Sequence, residues 1–90
     1  MEEGESISRA FAEGLEAGTT PNSIESMDLA EKHRLHINRW FYECSHAMHA
    51  RLGALYVMDP RFMEYYDKYA TGLTDFVKTA IDANRARNET

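Results

Sequence analysis

A single cysteine, Cys44, among 90 residues excludes an internal disulfide and suits a reducing compartment. No apolar run approaches the ~20 residues that cross a bilayer. The acidic start, MEEGESISRAF, has no signal-peptide core, so the expected location is the cytoplasm, away from any membrane. Lysine and arginine are scattered, and no basic run is long enough to follow a phosphate backbone. With a formal net charge of −5, direct nucleic-acid contact is disfavoured. The five glycines are isolated and form neither GxGxxG nor GxxxxGK, which excludes those phosphate-cradling loops. Valine and isoleucine are few, and no alternating strand pattern occurs.

What remains reads as helix. A first helix over residues 5–17 would place Ile7, Ala10, Phe11, Gly14 and Leu15 on one face, after a disordered stretch 1–4. Gly18 suits a C-terminal stop, and the loop GTTPN follows. Ser23 can cap the second helix, whose inward stripe is Met27, Ala30, Arg34, Ile37 and Phe41. The phase continues through Cys44, Met48, Leu52 and Leu55, so one long helix is compatible with the pattern. Ser45 can instead cap a new helix after a break near Tyr42 to Cys44, and this reading is favoured because so long a straight helix suits a small globule badly. Asp59-Pro60 marks another start, followed by Phe62, Tyr65, Tyr66 and Tyr69 on a short helix. Thr71 is the expected cap of the last helix, which would bury Leu73, Phe76, Val77, Ala80 and Ile81 before a loose RARNET tail. The expectation is one all-α bundle of about five helices over 5–87, with residues 88–90 loose. A chain this short buries only roughly 60–65% of its unfolded surface, so a bound ligand should change its stability noticeably.

The segment from His33 to Tyr56 holds all four histidines, the only tryptophan, the cysteine and two of the five tyrosines. His33 and His36 are three apart, with Cys44, His46 and His49 further on, yet the spacing matches no closed zinc motif. Surface histidines and one buried thiol explain it as well, and no metal or cofactor is expected. Cys44 beside His46 or His49 is a conceivable thiolate pair, but a free cysteine is more often a small buried hydrophobe. Nothing supports an enzyme. Trp40, Phe41, Tyr42, Met48, Tyr56 and Met58 gather around one helix junction, and Phe62, Tyr65, Tyr66 and Tyr69 add a second aromatic wall. Each ring taken singly is a core candidate. So many hydroxyls and an indole N–H cannot all be buried with partners in 90 residues, so some should line a groove for a large, weakly charged, partly planar ligand. Arg34, on the apolar phase, either lays its stem on the core with its head outside, or donates into a cleft or pairs with a buried carboxylate.

The motifs HR at 33–34, IxRWFYxCS at 37–45, MH at 48–49, LGxxYVxDPRF at 52–62, YDKYAxGL at 66–73 and AIxAN at 80–84 resemble the TipAS-type drug-recognition domain of MerR-like transcriptional activators. The resemblance spans about two-thirds of the chain. It implies a globin-like helical fold without haem, and non-covalent binding of bulky thiopeptide- or albicidin-like antibiotics in a cleft. It puts forward His33, Arg34, Ile37, Trp40, Phe41, Tyr42, Cys44 and Met48 as ligand-facing. It also implies a monomeric isolated domain, dimeric only through a DNA-binding and coiled-coil part that these 90 residues do not include. Thiopeptide-capturing relatives carry a cysteine in MHxCLG; here the motif is MHARLG, and Arg51 at that place cannot trap a drug covalently. Two other readings stand beside this one: an interaction module whose groove accepts a helix of a partner or of its own regulator, and a sensor of metal or redox state using the histidines and Cys44.

Overall fold

The computed structural model describes residues 2–89, the Glu2 side chain excepted. They form five α-helices: α1 Glu2–Glu16, α2 Ile24–Trp40, α3 His46–Tyr56, α4 Pro60–Asp67 and α5 Leu73–Arg87. Among the described residues there is no strand, and no helix is long and apolar enough to cross a membrane.

Helix α1 begins at Glu2 rather than at residue 5. Its first turn has a partner: Glu3 Oε1 lies 2.6 Å from His36 Nδ1 on α2. It stops where expected. Gly18 adopts φ 81°, its N–H bonds Leu15 O at 3.1 Å, and the Thr19 N–H reaches back to Gly14 O at 2.9 Å. Those two bonds close a left-handed C-cap that a side chain would strain. Ser23 caps α2 through the Ser26 N–H, and Asp59 caps α4 ahead of Pro60.

Between Trp40 and His46 the chain breaks, and Ser45 restarts the helix by accepting the Met48 N–H at 3.1 Å. The break resets the phase. The expected inward positions Phe41, Met48 and Leu55 are exposed and Leu52 is half-buried, whereas α3 buries His49, Ala50, Gly53 and Tyr56. Gly53 permits a close approach to α5, because a Cβ there would sit 3.4 Å from Ile81 Cδ1.

The cap of α5 differs from expectation. Gly72, at φ 85°, is the N-cap and offers no side chain. The carboxylate of Asp67 replaces Thr71 in that role, accepting the Thr74 N–H at 3.0 Å and its hydroxyl at 2.8 Å. α5 packs on all four other helices and buries Leu73, Phe76, Val77, Ala80 and Ile81, as its spacing predicts. Phe11 meets Phe76 edge to face at 6.3 Å. The RARNET segment is not loose along its whole length. Helix α5 continues through Arg87, and Asn88 Nδ2 donates to Asn84 O at 2.8 Å.

Candidate ligand-binding cleft

Because α2 stops at Trp40 and α3 sets off afresh, the side chains of the break and of the facing helices do not close over one another. A cleft of ≈ 420 Å³ opens there. Gly4 and Ser8 of α1 form one wall. His33, His36 and Ile37 of α2 form another, with Phe41 and Tyr42 of the break at the rim. Leu52 and Tyr56 of α3, and Phe62, Tyr65 and Tyr66 of α4, complete the lining. The rings form a connected row. Tyr56 lies 4.9 Å from Phe62 and 5.2 Å from Tyr66, and Tyr65 stands edge-on to Tyr66 at 5.0 Å. At the rim Phe41 rests against His36 at 5.8 Å while remaining 65% exposed. An exposed ring beside a ring-lined hollow offers apolar surface without filling the hollow.

The floor is polar and uncharged. The Tyr66 hydroxyl lies 3.3 Å from His33 Nε2, and His33 Nδ1 lies 2.8 Å from Nε2 of the fully buried His49. Burial pulls the pKa of His33 down to about 4, with a smaller electrostatic contribution from the neighbouring His36. Burial also pulls His49 down to about 3, with His33 and Arg34 adding to the effect. Both imidazoles are therefore neutral near pH 7, with one nitrogen of each a donor and the other an acceptor. Loss of water around the Tyr56 phenol pushes it up to about 12, and burial raises Tyr66 as well, so both keep their protons. Such a floor can exchange hydrogen bonds with amides, hydroxyls or ring nitrogens. A formal charge placed there would lack a counter-charge.

The sequence model of the TipAS antibiotic-recognition domain matches residues 1–84. The chain belongs to that family. It is 38% identical over 88 residues to the HTH-type transcriptional activator TipA of Streptomyces coelicolor, covering 98% of this chain and 35% of that protein, with the same figures for TipA of Streptomyces lividans. It is 32% identical over 81 residues to the HTH-type transcriptional activator mta of Bacillus subtilis, covering 90% of this chain and 31% of the relative. The chain thus spans about a third of the length of these relatives. Among solved structures it superposes on TipAS of the Streptomyces lividans thiopeptide antibiotic multidrug resistance system, in complex with nosiheptide. The TM-score is 0.92 at 37% identity, over 99% of this chain and 62% of that one. It also matches the antibiotic-binding domain of a TipA-class multidrug resistance transcriptional regulator, with a TM-score of 0.89 at 37% identity, over 100% and 96% of the two chains.

In this TipAS-family chain the eight sequence candidates separate. His33, Ile37, Phe41 and Tyr42 line the cleft. Arg34, Cys44 and Met48 face a different groove of ≈ 330 Å³, shared with Asn38, Glu43 and Ser45. Trp40 lines neither groove; half exposed, it lies under the Arg39 guanidinium at 5.0 Å. Of the two readings of Arg34, the carboxylate pair is the one found. Its Nη2 and Nε bond Glu31 at 2.6 and 3.1 Å, and its Nη1 donates to Cys44 O at 2.7 Å. Glu31 also accepts from His46 Nε2 and Asn84 Nδ2, each at 2.9 Å. The Arg34 hydrogen bonds, then those of Asn84 and His46, outweigh partial burial and hold the Glu31 carboxyl down to about 2. Burial pushes the Cys44 thiol up, and only 1% of the residue is exposed. Among the described residues no three His, Cys, Asp or Glu side chains converge as metal ligands would.

The cleft also uses residues outside the candidate segment. Phe62, Tyr65 and Tyr66 are visible in the sequence as a second aromatic wall. Gly4 and Ser8 carry no such signal, since only the packing of α1 across α2 brings them to the edge, and His36, inside the segment, reads there only as a possible metal-site histidine.

Proposed function

We propose that this chain is the drug-recognition part of a larger cytoplasmic transcriptional activator, and that its cleft holds a bulky, ring-rich antibiotic non-covalently. One observation carries the reading: the ring-lined hollow under Phe41, open to solvent, with the Tyr66–His33 pair in its lining and His49 buried behind it. The likeness to the nosiheptide-bound TipAS structure supports it. Flat apolar walls suit heteroaromatic rings, and the uncharged floor suits the amide and azole groups of thiopeptides or the amide-linked rings of albicidin. The domain acts by binding and not by catalysis. The buried, protonated Cys44 supports this, as does Arg51 standing where capturing relatives carry their thiol. Binding the folded state alone raises stability by linkage, about 2.7 kcal/mol at a ligand concentration of 100 Kd. In the full-length activator this preference for the ordered domain would shift the protein toward its activating state.

Titration with nosiheptide and with albicidin, followed by Trp40 fluorescence and by Tm, tests the proposal. Saturating ligand should raise Tm by roughly 10 °C or more for a domain of this size. No response to either drug, or to a panel of hydrophobic antibiotics, would remove the reading.

A further inference from the structure

The two rim residues of the cleft, Phe41 and Tyr42, are exposed, Phe41 by 65% and Tyr42 by 46%. Phe41 and Tyr42 each donate a backbone N–H to Ile37 O, at 2.9 and 3.2 Å, which fixes where the break begins. Its far end is held differently. Both backbone groups of Cys44 are bound by side chains of α2: the N–H donates to Asn38 Oδ1 at 2.8 Å, and the carbonyl accepts from Arg34 Nη1 at 2.7 Å. Arg34 is itself aligned by its two-point contact with Glu31, which His46 and Asn84 tie to α3 and α5. The peptide groups flanking the Cys44 side chain thus have a fixed position relative to α2. The four residues from Phe41 to Cys44 must bridge from one anchor to the other, so the clamp sets how the rim rings stand over the cleft. Asn38 and Arg34 line the other, smaller groove, outside the cleft lining.

We infer that Asn38 and Arg34 are positioning residues for ligand recognition, clamping the backbone of Cys44 so that Phe41 and Tyr42 are preorganised over the cleft without touching the ligand themselves. A rim held in its bound conformation loses less freedom on association than a loose one, which favours affinity and slows release. The inference rests on the cleft being the ligand site.

Asn38 gives the cleaner test, because it is exposed and its removal leaves no hole in the core. With nosiheptide as probe, Asn38→Ala should weaken binding about three- to tenfold, the worth of one backbone anchor. Asn38→Asp keeps an acceptor for the Cys44 N–H and should restore affinity to within about twofold. In a background carrying Phe41→Ala and Tyr42→Ala, Asn38→Ala should have no further effect on affinity, although its small cost in Tm should persist. A merely structural residue would weaken binding to the same degree in both backgrounds; that result, or no loss in the intact one, would overturn the inference. If the native chain binds neither nosiheptide nor albicidin, the antibiotic reading fails instead. The clamp is then judged in the free protein, from the fluorine resonance of a fluorinated phenylalanine placed at position 41. That resonance must shift or broaden on Asn38→Ala, and its constancy, or its constancy when the rim-deleted chain binds too weakly to measure, would overturn the clamp.

Discussion

The rings of His33 and His49 meet nitrogen to nitrogen, Nδ1 of the first 2.8 Å from Nε2 of the second, and this contact joins the floor of the cleft to the buried face of α3. It can form only while at least one ring carries no charge, since two imidazoliums would present hydrogen to hydrogen. The fold enforces that condition by burying His49 and taking much of His33 out of water.

Acid should therefore unfold the domain earlier than its carboxylates alone would require. The folded pKa values, about 4 for His33 and about 3 for His49, lie below the ~6.5 of an unfolded histidine. Stability from the neutral rings is complete above the unfolded value and is lost as pH falls through the window between it and the folded values. Each ring that the unfolded chain protonates and the folded chain does not contributes a slope of up to about 1.4 kcal/mol per pH unit. Urea denaturation between about pH 7 and pH 5 should show a loss on the order of 2–4 kcal/mol, the upper figure if both rings stay neutral throughout. An unfolding midpoint that stays constant over that range would contradict the neutral pair.

Glu31 should matter to stability more than any surface ion pair. It receives Arg34, His46 and Asn84 together, and Asn84 is wholly buried. Glu31→Ala leaves donors from three helices without their acceptor and should destabilise by about 1–3 kcal/mol, discounted for the partial exposure of the carboxylate. Arg85→Ala, which removes only the exposed Arg85–Glu89 pair, should stay within about 0.5 kcal/mol. Equal effects in chemical denaturation would refute the difference.

Cys44 should be inert in the folded protein. With its thiol buried and its pKa raised, a disulfide reagent should modify it on the order of 100-fold more slowly than in denaturant, because both access and thiolate fraction are low. Intact mass after incubation with nosiheptide should equal that of the free chain. A stable adduct on Cys44 would reverse the assignment of non-covalent binding.

Phe41 and its neighbour Trp40 are both exposed, yet only Phe41 lines the cleft. Phe41→Ala should cost less than about 0.5 kcal/mol of stability while lowering antibiotic affinity about tenfold or more, as an aromatic anchor does. Trp40→Ala should leave affinity within about twofold. The reverse ranking, measured by calorimetry, would move the binding surface to the outer face of α2.

The buried face of α5 was readable from spacing, because Leu73, Phe76, Val77, Ala80 and Ile81 follow one helical phase with no interruption. The caps at Ser23, Ser45 and Asp59 were readable too, since each satisfies amides only two or three residues away. The cap of α5 was not. Asp67 reaches it from seven residues earlier, and the turn at Gly72 decides that geometry. The candidate site was half legible for the same kind of reason. A helical phase extended across residues 41–45 places Arg34, Cys44 and Met48 with Ile37. The break takes Cys44 out of that phase and rotates Met48 on α3, so both join Arg34 and Asn38 of α2 in another groove.

Local pattern, then, determined the five helices, most of their ends and the family, because hydrogen bonds and periodic burial act over a few residues. Which side chains share a hollow was decided by packing alone. His33 meets Tyr66 across 33 positions of sequence, and Glu31 meets Asn84 across 53. Contacts between groups so far apart in the chain depend on how the helices cross, and no spacing within one helix encodes that.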